Sequence, residues 1–156
     1  MIVPAASSPS VEPARGGWAA ILGLLGLVNA GNGTWMLLDA EGWFHDLPAG
    51  VADFGPLNEH MIRDLGGAFV VMGAALLWAA LRPALRRPLS SLVALFYLLH
   101  AAGHVVDTAE ERVGPEHWTI DLPGVYIPAL LFTAIAIRFA LPRVARAPDR
   151  GAGSPS

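Results

Sequence analysis

Four long apolar stretches, separated by polar segments, run through the chain. They cover about residues 17–38, 65–81, 89–106 and 122–141. Each approaches the ~20 residues that a helix needs to cross a hydrocarbon core of ~30 Å. A bilayer offers no partner to exposed backbone N–H and C=O groups, so such stretches become helices. The pattern therefore predicts an all-α fold, a four-helix transmembrane bundle with helices one to four in chain order.

The two ends of the chain differ from the middle. Residues 1–16 and 143–156 are rich in small residues and proline and show no hydrophobic periodicity. They predict disordered tails on either side of a transmembrane domain at 17–142. An alternative for the first stretch is a cleaved signal peptide with its cleavage site at 28–30. Apolar residues resume after that site, which favours a retained helix.

Composition agrees with a lipid environment. Apolar residues make up 54% of the chain and charged residues 15%, with a mean hydropathy of +0.49. Soluble domains carry roughly 25% charged residues. The chain has no cysteine, which excludes disulfides, iron–sulfur clusters and thiolate metal sites. It also has no phosphate-binding glycine loop and no Gly-x-Ser-x-Gly nucleophile elbow. No stripe of basic residues suits nucleic acid, so nucleic acid is not an expected partner.

Charge placement predicts the orientation in the membrane. Eight of the ten arginines, with two of the thirteen acidic residues, lie in the tails, in the turn at 82–88 and at the end of helix four. The other eleven acidic residues lie in the segments 39–64 and 107–121. The positive-inside rule then places both termini in the cytoplasm. We expect a multi-pass protein of a bacterial inner (plasma) membrane, with the lipid bilayer as its first partner.

The histidines carry the sharpest chemical signal. All five lie in the half of the chain predicted to face outward, and His100 and His104 share one face of helix three because they are four residues apart. His104 should lie about one turn below the membrane boundary and His100 about two, at ~5.4 Å per turn. Imidazoles at that depth are costly unless they are paired, liganded or facing a cavity.

Helix two offers a matching pair at its start, His60 and Asp64, again four residues apart. Helices two and three are expected to be antiparallel neighbours, so the start of one meets the end of the other. The sequence therefore predicts that His60, Asp64, His100 and His104 converge near the outer face. Nearby polar residues are expected to orient the imidazoles: Glu59, Arg63 and Asp107.

Three imidazoles and a carboxylate suit copper, zinc or non-haem iron. The same histidines also suit haem b, with His60 on one side of the ring and His100 or His104 on the other. A metal or haem redox site is the leading hypothesis. Three alternatives stay open: histidines that only hydrogen-bond between helices, a non-enzymatic accessory subunit of a larger membrane complex, and a small proton-coupled carrier that uses the same cluster as its relay.

Other polar residues carry weaker expectations. His45 and His117 stand alone in loops and are expected to be ordinary polar residues. Asn29 and Asn32, inside helix one, are expected to hydrogen-bond between helices or to break the helix, with a ligand-facing role as the alternative. Asp121 precedes a proline by two residues and is the expected N-cap of helix four.

Two segments have the character of family motifs: 57–66, with the sequence LNEHMIRDLG, and 100–104, with the sequence HAAGH. The layout of residues 17–142 resembles the small four-helix inner-membrane proteins of bacteria, including DoxX-like proteins. DoxX-like proteins are linked with quinone and sulfur redox chemistry. The resemblance therefore implies a redox role, with quinone or other membrane subunits as partners, and it assigns no role to individual residues.

Overall fold

A computed structural model describes residues 16–141, and all regular structure within that range is helical. Both predicted tails, apart from Gly16, lie outside the described residues. The α-helices are α1 (Gly17–Leu38), α2 (Ala40–Asp46), α3 (Glu59–Leu81), α4 (Arg86–Ala109), α5 (His117–Ile120) and α6 (Ile127–Ala140). Short 3-10 helices at Val51–Phe54 and Pro83–Leu85, and a π-helical turn at Leu122–Tyr126, connect them.

Four segments are long and apolar enough to cross a membrane: 17–38, 59–81, 83–109 and 122–140. This confirms the predicted all-helical fold, with four helices that are capable of spanning a membrane. We call the end of the bundle that carries α2 and α5 the loop end, and the opposite end, where α1 begins and α6 ends, the tail end.

Polar residues extend the helices past their apolar stretches. α3 begins at Glu59 rather than near residue 65, because the Asn58 side chain accepts a hydrogen bond of 3.1 Å from the Met61 N–H and caps the helix. At the tail end, the buried Arg86 side chain donates to the carbonyls of Ala79 and Ala80 at 3.3 and 3.4 Å. It thereby satisfies carbonyl groups at the end of α3.

α1 and α3 pack along a line of four glycines, Gly26, Gly33, Gly66 and Gly73, which we call the glycine seam. Gly33 faces Gly66 and Gly26 faces Gly73, in antiparallel register. A Cβ atom on Gly33 would lie 2.5 Å from the Gly66 carbonyl oxygen, and one on Gly73 would lie 2.7 Å from the Gly26 oxygen. Only glycine lets two backbones approach so closely, a common device between membrane helices.

α4 and α6 form the second close pair, and α3 joins the two pairs through its contacts with α4. Between described residues, no Cα atom of α1 comes within 8 Å of α4 or α6. Side chains bridge that distance instead. Near the tail end the Trp18 ring packs on Phe139 at 5.0 Å, and halfway along α1 the Tyr97 hydroxyl donates to the Asn29 amide oxygen at 2.8 Å.

The segment between α1 and α3 folds over the loop end. Trp43 and Phe44 of α2 are buried against α1 and α3, together with Met36 and Ile62. The Trp43 indole N–H donates to the Asn32 amide oxygen at 3.0 Å and fixes α2 to the inside of α1. α2 therefore lies over the interior of the bundle at this end.

Candidate functional site

A cavity of about 530 Å³ lies below α2, between the two helix pairs. Its size falls within the range of ~300–1,000 Å³ that is typical of small-molecule sites. Much of its wall is aromatic: Trp43, Phe44, Phe54, Phe69 and Tyr97. A smaller number of polar side chains face the same space: Asn29, Asn32, Asn58, His100, His104 and Asp121.

Two imidazoles of α4 stand together in this wall. The ring centroids of His100 and His104 are 4.7 Å apart, as their spacing on one helical face requires. The His104 Nδ1 atom lies 2.8 Å from Asp121 Oδ2. His100 stacks on Phe96, with 6.0 Å between ring centroids, and has no hydrogen bond among the described residues. Its ring nitrogens are therefore available to a molecule in the cavity.

Asp121 continues the polar contacts away from the cavity. Only 1% of its side chain is exposed, and its second oxygen, Oδ1, lies 3.2 Å from His117 Nδ1. The His117 side chain is fully buried, and its Nε2 atom lies 3.2 Å from Asp53 Oδ2. Asp53, His117, Asp121 and His104 thus form an unbroken series of carboxylates and imidazoles, which we call the Asp–His chain.

The two ends of the Asp–His chain lie in different surroundings. Asp53 is 57% exposed and borders a polar surface pocket of about 750 Å³ that also includes Arg112 and Glu116. Asp121 and His104, at the other end, line the largely apolar cavity. The Phe54 ring packs edge-on against His104 at 4.7 Å and against His117 at 4.8 Å.

The electrostatics of His117 follow from its two carboxylate neighbours. Burial alone lowers its pKa, but the hydrogen bonds to Asp121 and Asp53 and the charges of both groups outweigh burial and raise the pKa above 6.5. Both ring nitrogens face carboxylate oxygens, which accept hydrogen bonds when ionised. Both nitrogens can donate at once only in the protonated imidazolium form.

Local backbone geometry places Asp53 beside His117. Gly50, just before the 3-10 helix that carries Asp53, has φ +59°. A Cβ atom at this position would lie 3.0 Å from the His117 ring. Two features of this position require glycine: its left-handed backbone and the close approach of the imidazole.

Asp121 occupies the position before the π-helical turn, but its side chain makes no capping hydrogen bond. Asp121 therefore lies at the expected N-cap position, but its side chain does not cap the helix. Its backbone carbonyl instead accepts from the N–H groups of Val125 and Tyr126 at 2.9 and 3.1 Å, while both side-chain oxygens turn to the imidazoles. Turns of the π type are often found at functional sites.

Residues 18–120 match the protein family DUF4345, a domain of unknown function. The chain belongs to this family. The match spans α1 to α5 and includes three members of the Asp–His chain: Asp53, His104 and His117. No curated protein and no solved structure matches the chain. The resemblance to DoxX-like proteins is not confirmed by the DUF4345 match.

The predicted site residues fall into two separate pairs. His60 and Asp64 lie 3.5 Å apart at the start of α3, with side chains that are 90% and 71% exposed. His100 and His104 line the cavity. No hydrogen bond, ion pair or ring contact between described residues joins one pair to the other. Within residues 16–141, no group of three or more histidine and acidic side chains is placed to hold a metal ion. The metal and haem assignments remain predictions.

The residues expected to orient the imidazoles have other partners. Arg63 forms an ion pair with Glu59 one turn away on the surface of α3. Asp107 accepts from Arg112 at 2.9 Å, and Arg112 also pairs with Glu110. The carboxylate that contacts an imidazole of α4 is that of Asp121, which lies after α5 and reaches His104.

His117 and Asp53 were not among the residues that sequence reasoning selected. His117 and Asp121 are four residues apart, the same spacing as His60 and Asp64. That spacing indicates that the two side chains share one helical face, so this contact of the Asp–His chain could be predicted. Asp53 is separated from His117 by 64 positions. No periodicity in the sequence connects two residues that are so far apart.

Proposed function

We propose that this DUF4345 protein binds a lipid-soluble molecule in its cavity and exchanges protons with it through the Asp–His chain. The proposal rests on the continuity of the Asp–His chain. It begins at the exposed Asp53 and ends at His104 in the cavity wall, with contacts of 3.2, 3.2 and 2.8 Å. Ionisable residues within membrane proteins commonly form proton relays.

The direction of exchange follows from charge. Arg82, Arg87 and Arg138 mark the tail end, and acidic residues dominate the loop end. Under the positive-inside rule the loop end faces outward. Asp53 would then exchange protons with the solution outside a bacterial inner membrane.

Imidazole suits this task because it takes up a proton on one nitrogen and releases one from the other. When His117 is neutral and carries its single proton on Nδ1, a proton that reaches Asp53 passes to Nε2 of His117. The imidazolium so formed then releases its Nδ1 proton to Asp121. Asp121 passes a proton to Nδ1 of His104, and Nε2 of His104 is left to donate to the bound molecule. The reverse sequence removes a proton from that molecule, so His104 serves as general acid or general base.

The cavity wall indicates the chemical class of the ligand. Aromatic side chains favour stacking with a planar ring. His100 and His104 offer hydrogen-bonding nitrogens to one edge of such a ring. A phenol, a hydroquinone or a quinone combines an apolar ring with an oxygen that gains or loses a proton. The quinone partner implied by the resemblance to DoxX-like proteins belongs to this class.

The test uses para-nitrophenol as the probe, because its absorbance reports directly whether it is ionised. Purified protein is loaded with the probe and the pH of the solution is changed rapidly. In the wild-type protein the bound probe should follow the new pH. Asp121→Asn should slow the response of the bound probe about a hundredfold. Asp107→Asn changes an acidic residue that is not part of the Asp–His chain, and it should leave the response unchanged. A wild-type protein that does not bind the phenol, or an Asp121→Asn protein as fast as wild type, would overturn the proposal.

A metal or haem redox site is the second candidate, and the adjacent His100 and His104 rings favour it. An optical spectrum and elemental analysis of the purified protein test it directly. Near-stoichiometric copper, zinc or iron, or a Soret band, each lost in His100→Ala, would support this candidate. A colourless protein without metal would remove it and leave proton exchange standing.

A further inference from the structure

The ring contacts between α1 and α6 lie near the tail end. Near the tail end the Trp18 ring lies on Phe139, and the Arg138 guanidinium lies 5.9 Å from the centre of the Trp18 ring. Above the Tyr97–Asn29 hydrogen bond, no hydrogen bond or ring contact in the described part of the chain joins the two helices. The cavity occupies the space between the helix pairs at this level.

Residues on both sides of this gap line the cavity and also face outward. Val28 of α1 borders the cavity although it is 59% exposed. Gly124 and Pro128, at the start of the last membrane span, border it from the other side, and Gly124 is exposed. Space inside the bundle is therefore continuous with its outer surface. We call this gap, edged by Val28, Gly124 and Pro128, the lateral opening.

The lateral opening lies at the depth of lipid tails. Val28 is ten residues from the loop end of α1, which corresponds to about 15 Å at 1.5 Å per residue. A hydrocarbon core of ~30 Å leaves about that distance for one leaflet. Directly above the cavity, Trp43 and Phe44 of α2 are buried. On the α3 side the exposed Asn58 and Met61 also line the cavity, so a small water-soluble molecule has a separate route there.

We infer that the ligand enters sideways, from the leaflet at the loop end, and that it is a ring compound with an apolar tail. The ring with its oxygen lies among the aromatic side chains beside His100 and His104. The tail extends through the lateral opening into the lipid, where the apolar Val28 side chain favours it over a charged or hydrated group. This inference rests on the proposed binding cavity and adds the route of entry and the ligand's tail.

The experiment compares para-nitrophenol with a para-nitrophenol that carries an octyl chain. The protein is reconstituted in phosphatidylcholine vesicles, the tailed probe is added to the lipid, and the untailed probe is added to the water. Entry is followed by the quenching of tryptophan fluorescence. Val28→Trp should fill the lateral opening. Leu24→Trp is its matched control, because Leu24 is 65% exposed on the same helix but does not border the cavity.

Val28→Trp should slow entry of the tailed probe about tenfold and leave entry of the untailed probe unchanged. Leu24→Trp should affect neither. A second variant narrows the opposite edge without disturbing packing: a Cβ atom on Gly124 meets nothing within 4 Å, so Gly124→Leu should act like Val28→Trp. Its control is Gly103→Leu, where a Cβ atom also meets nothing within 4 Å and which lies away from the cavity.

Three other outcomes would contradict the inference, and they can be distinguished from one another. If the tailed probe enters Val28→Trp and Gly124→Leu as fast as their controls, lateral entry is wrong and the proton-exchange proposal stands. If both variants slow the two probes equally, the substitutions have closed the cavity itself and the separate lateral route is wrong. If the wild-type protein binds neither probe, both proposals fall.

Discussion

α1 borders two very different neighbours. Toward α3 it presents Gly26 and Gly33, and the two backbones touch. Toward α6 no backbone approach within 8 Å is found among residues 16–141, and the space between holds a cavity. One side of the helix is stabilised by close backbone packing. The other side has ring contacts of Trp18 near the tail end and one hydrogen bond, from Tyr97 to Asn29. The candidate site of this protein therefore lies where helix packing is incomplete.

The largest effect should come from removing the buried carboxylate on the cavity side. Asp121→Ala leaves the buried His117 and the partly buried His104 without their shared acceptor, and breaking a buried charged pair costs about 3–5 kcal/mol. Unfolding of the detergent-solubilised protein, followed by tryptophan fluorescence, measures the loss. Asp107→Ala removes only a solvent-exposed ion pair and should cost less than ~1 kcal/mol. Equal stability of the two variants would show that the Asp–His chain does not hold this side together.

The glycine seam should respond next in size. Gly33→Ala places a methyl group against the α3 backbone, and overpacking of this kind costs about 1–3 kcal/mol. Gly31→Ala, on the same helix, meets nothing within 4 Å and should be neutral or stabilising by up to ~1 kcal/mol, because alanine favours the helix. The same unfolding measurement applies. A Gly33→Ala protein as stable as Gly31→Ala would mean that α1 and α3 do not pack as closely as described.

A smaller loss is expected at the floor of the cavity. Tyr97→Phe removes the hydrogen bond from the α4 hydroxyl to Asn29 and should cost about 0.5–1.5 kcal/mol, the net value of one hydrogen bond. Binding of the untailed nitrophenol should persist, because the ring remains. Asn29→Ala combined with Tyr97→Phe gives a double-mutant cycle. Strictly additive losses would contradict a direct contact between these side chains.

The smallest effect is a dependence of stability on pH. The folded-state pKa of His117 is raised above 6.5, so its contribution is fully present below that value and is lost as the pH rises through the folded-state pKa. The melting temperature of the wild-type protein should therefore fall more steeply above pH 6.5 than that of His117→Gln. Parallel curves for the two proteins would contradict the raised pKa.

The helices could be predicted because lipid leaves apolar stretches little choice of structure. Some of their ends could also be predicted, since α1 has its predicted bounds. The start of α3 could not, because it depends on a single capping contact, that of Asn58 with the Met61 N–H. The pairing of His100 with His104 followed from helical spacing, which is a local property. The Asp53–His117 contact depends on how a loop folds over the bundle, and spacing along the chain carries no information about that.

The predicted convergence of α3 and α4 histidines depended on how α3 rotates about its axis. The glycine seam fixes that rotation, because Gly66 and Gly73 must face α1. At about 100° per residue, His60 lies about 120° and Asp64 about 160° around the helix from Gly66. Both side chains therefore point to the surface. A stripe of small residues was visible in the sequence, but its partner helix was not.

The π-helical turn at Leu122–Tyr126 has a consequence for the phase of the last span. One additional residue per turn offsets all later side chains by about 100° relative to a continuous α-helix. Asp121 can therefore face the imidazoles while Ala129, Phe132 and Ile135 still face the apolar core. Deleting one residue from this turn would bring the two faces into conflict, so that either the carboxylate or the core residues would have to turn away. The turn uncouples the orientation of a polar group from the packing of the helix that follows it.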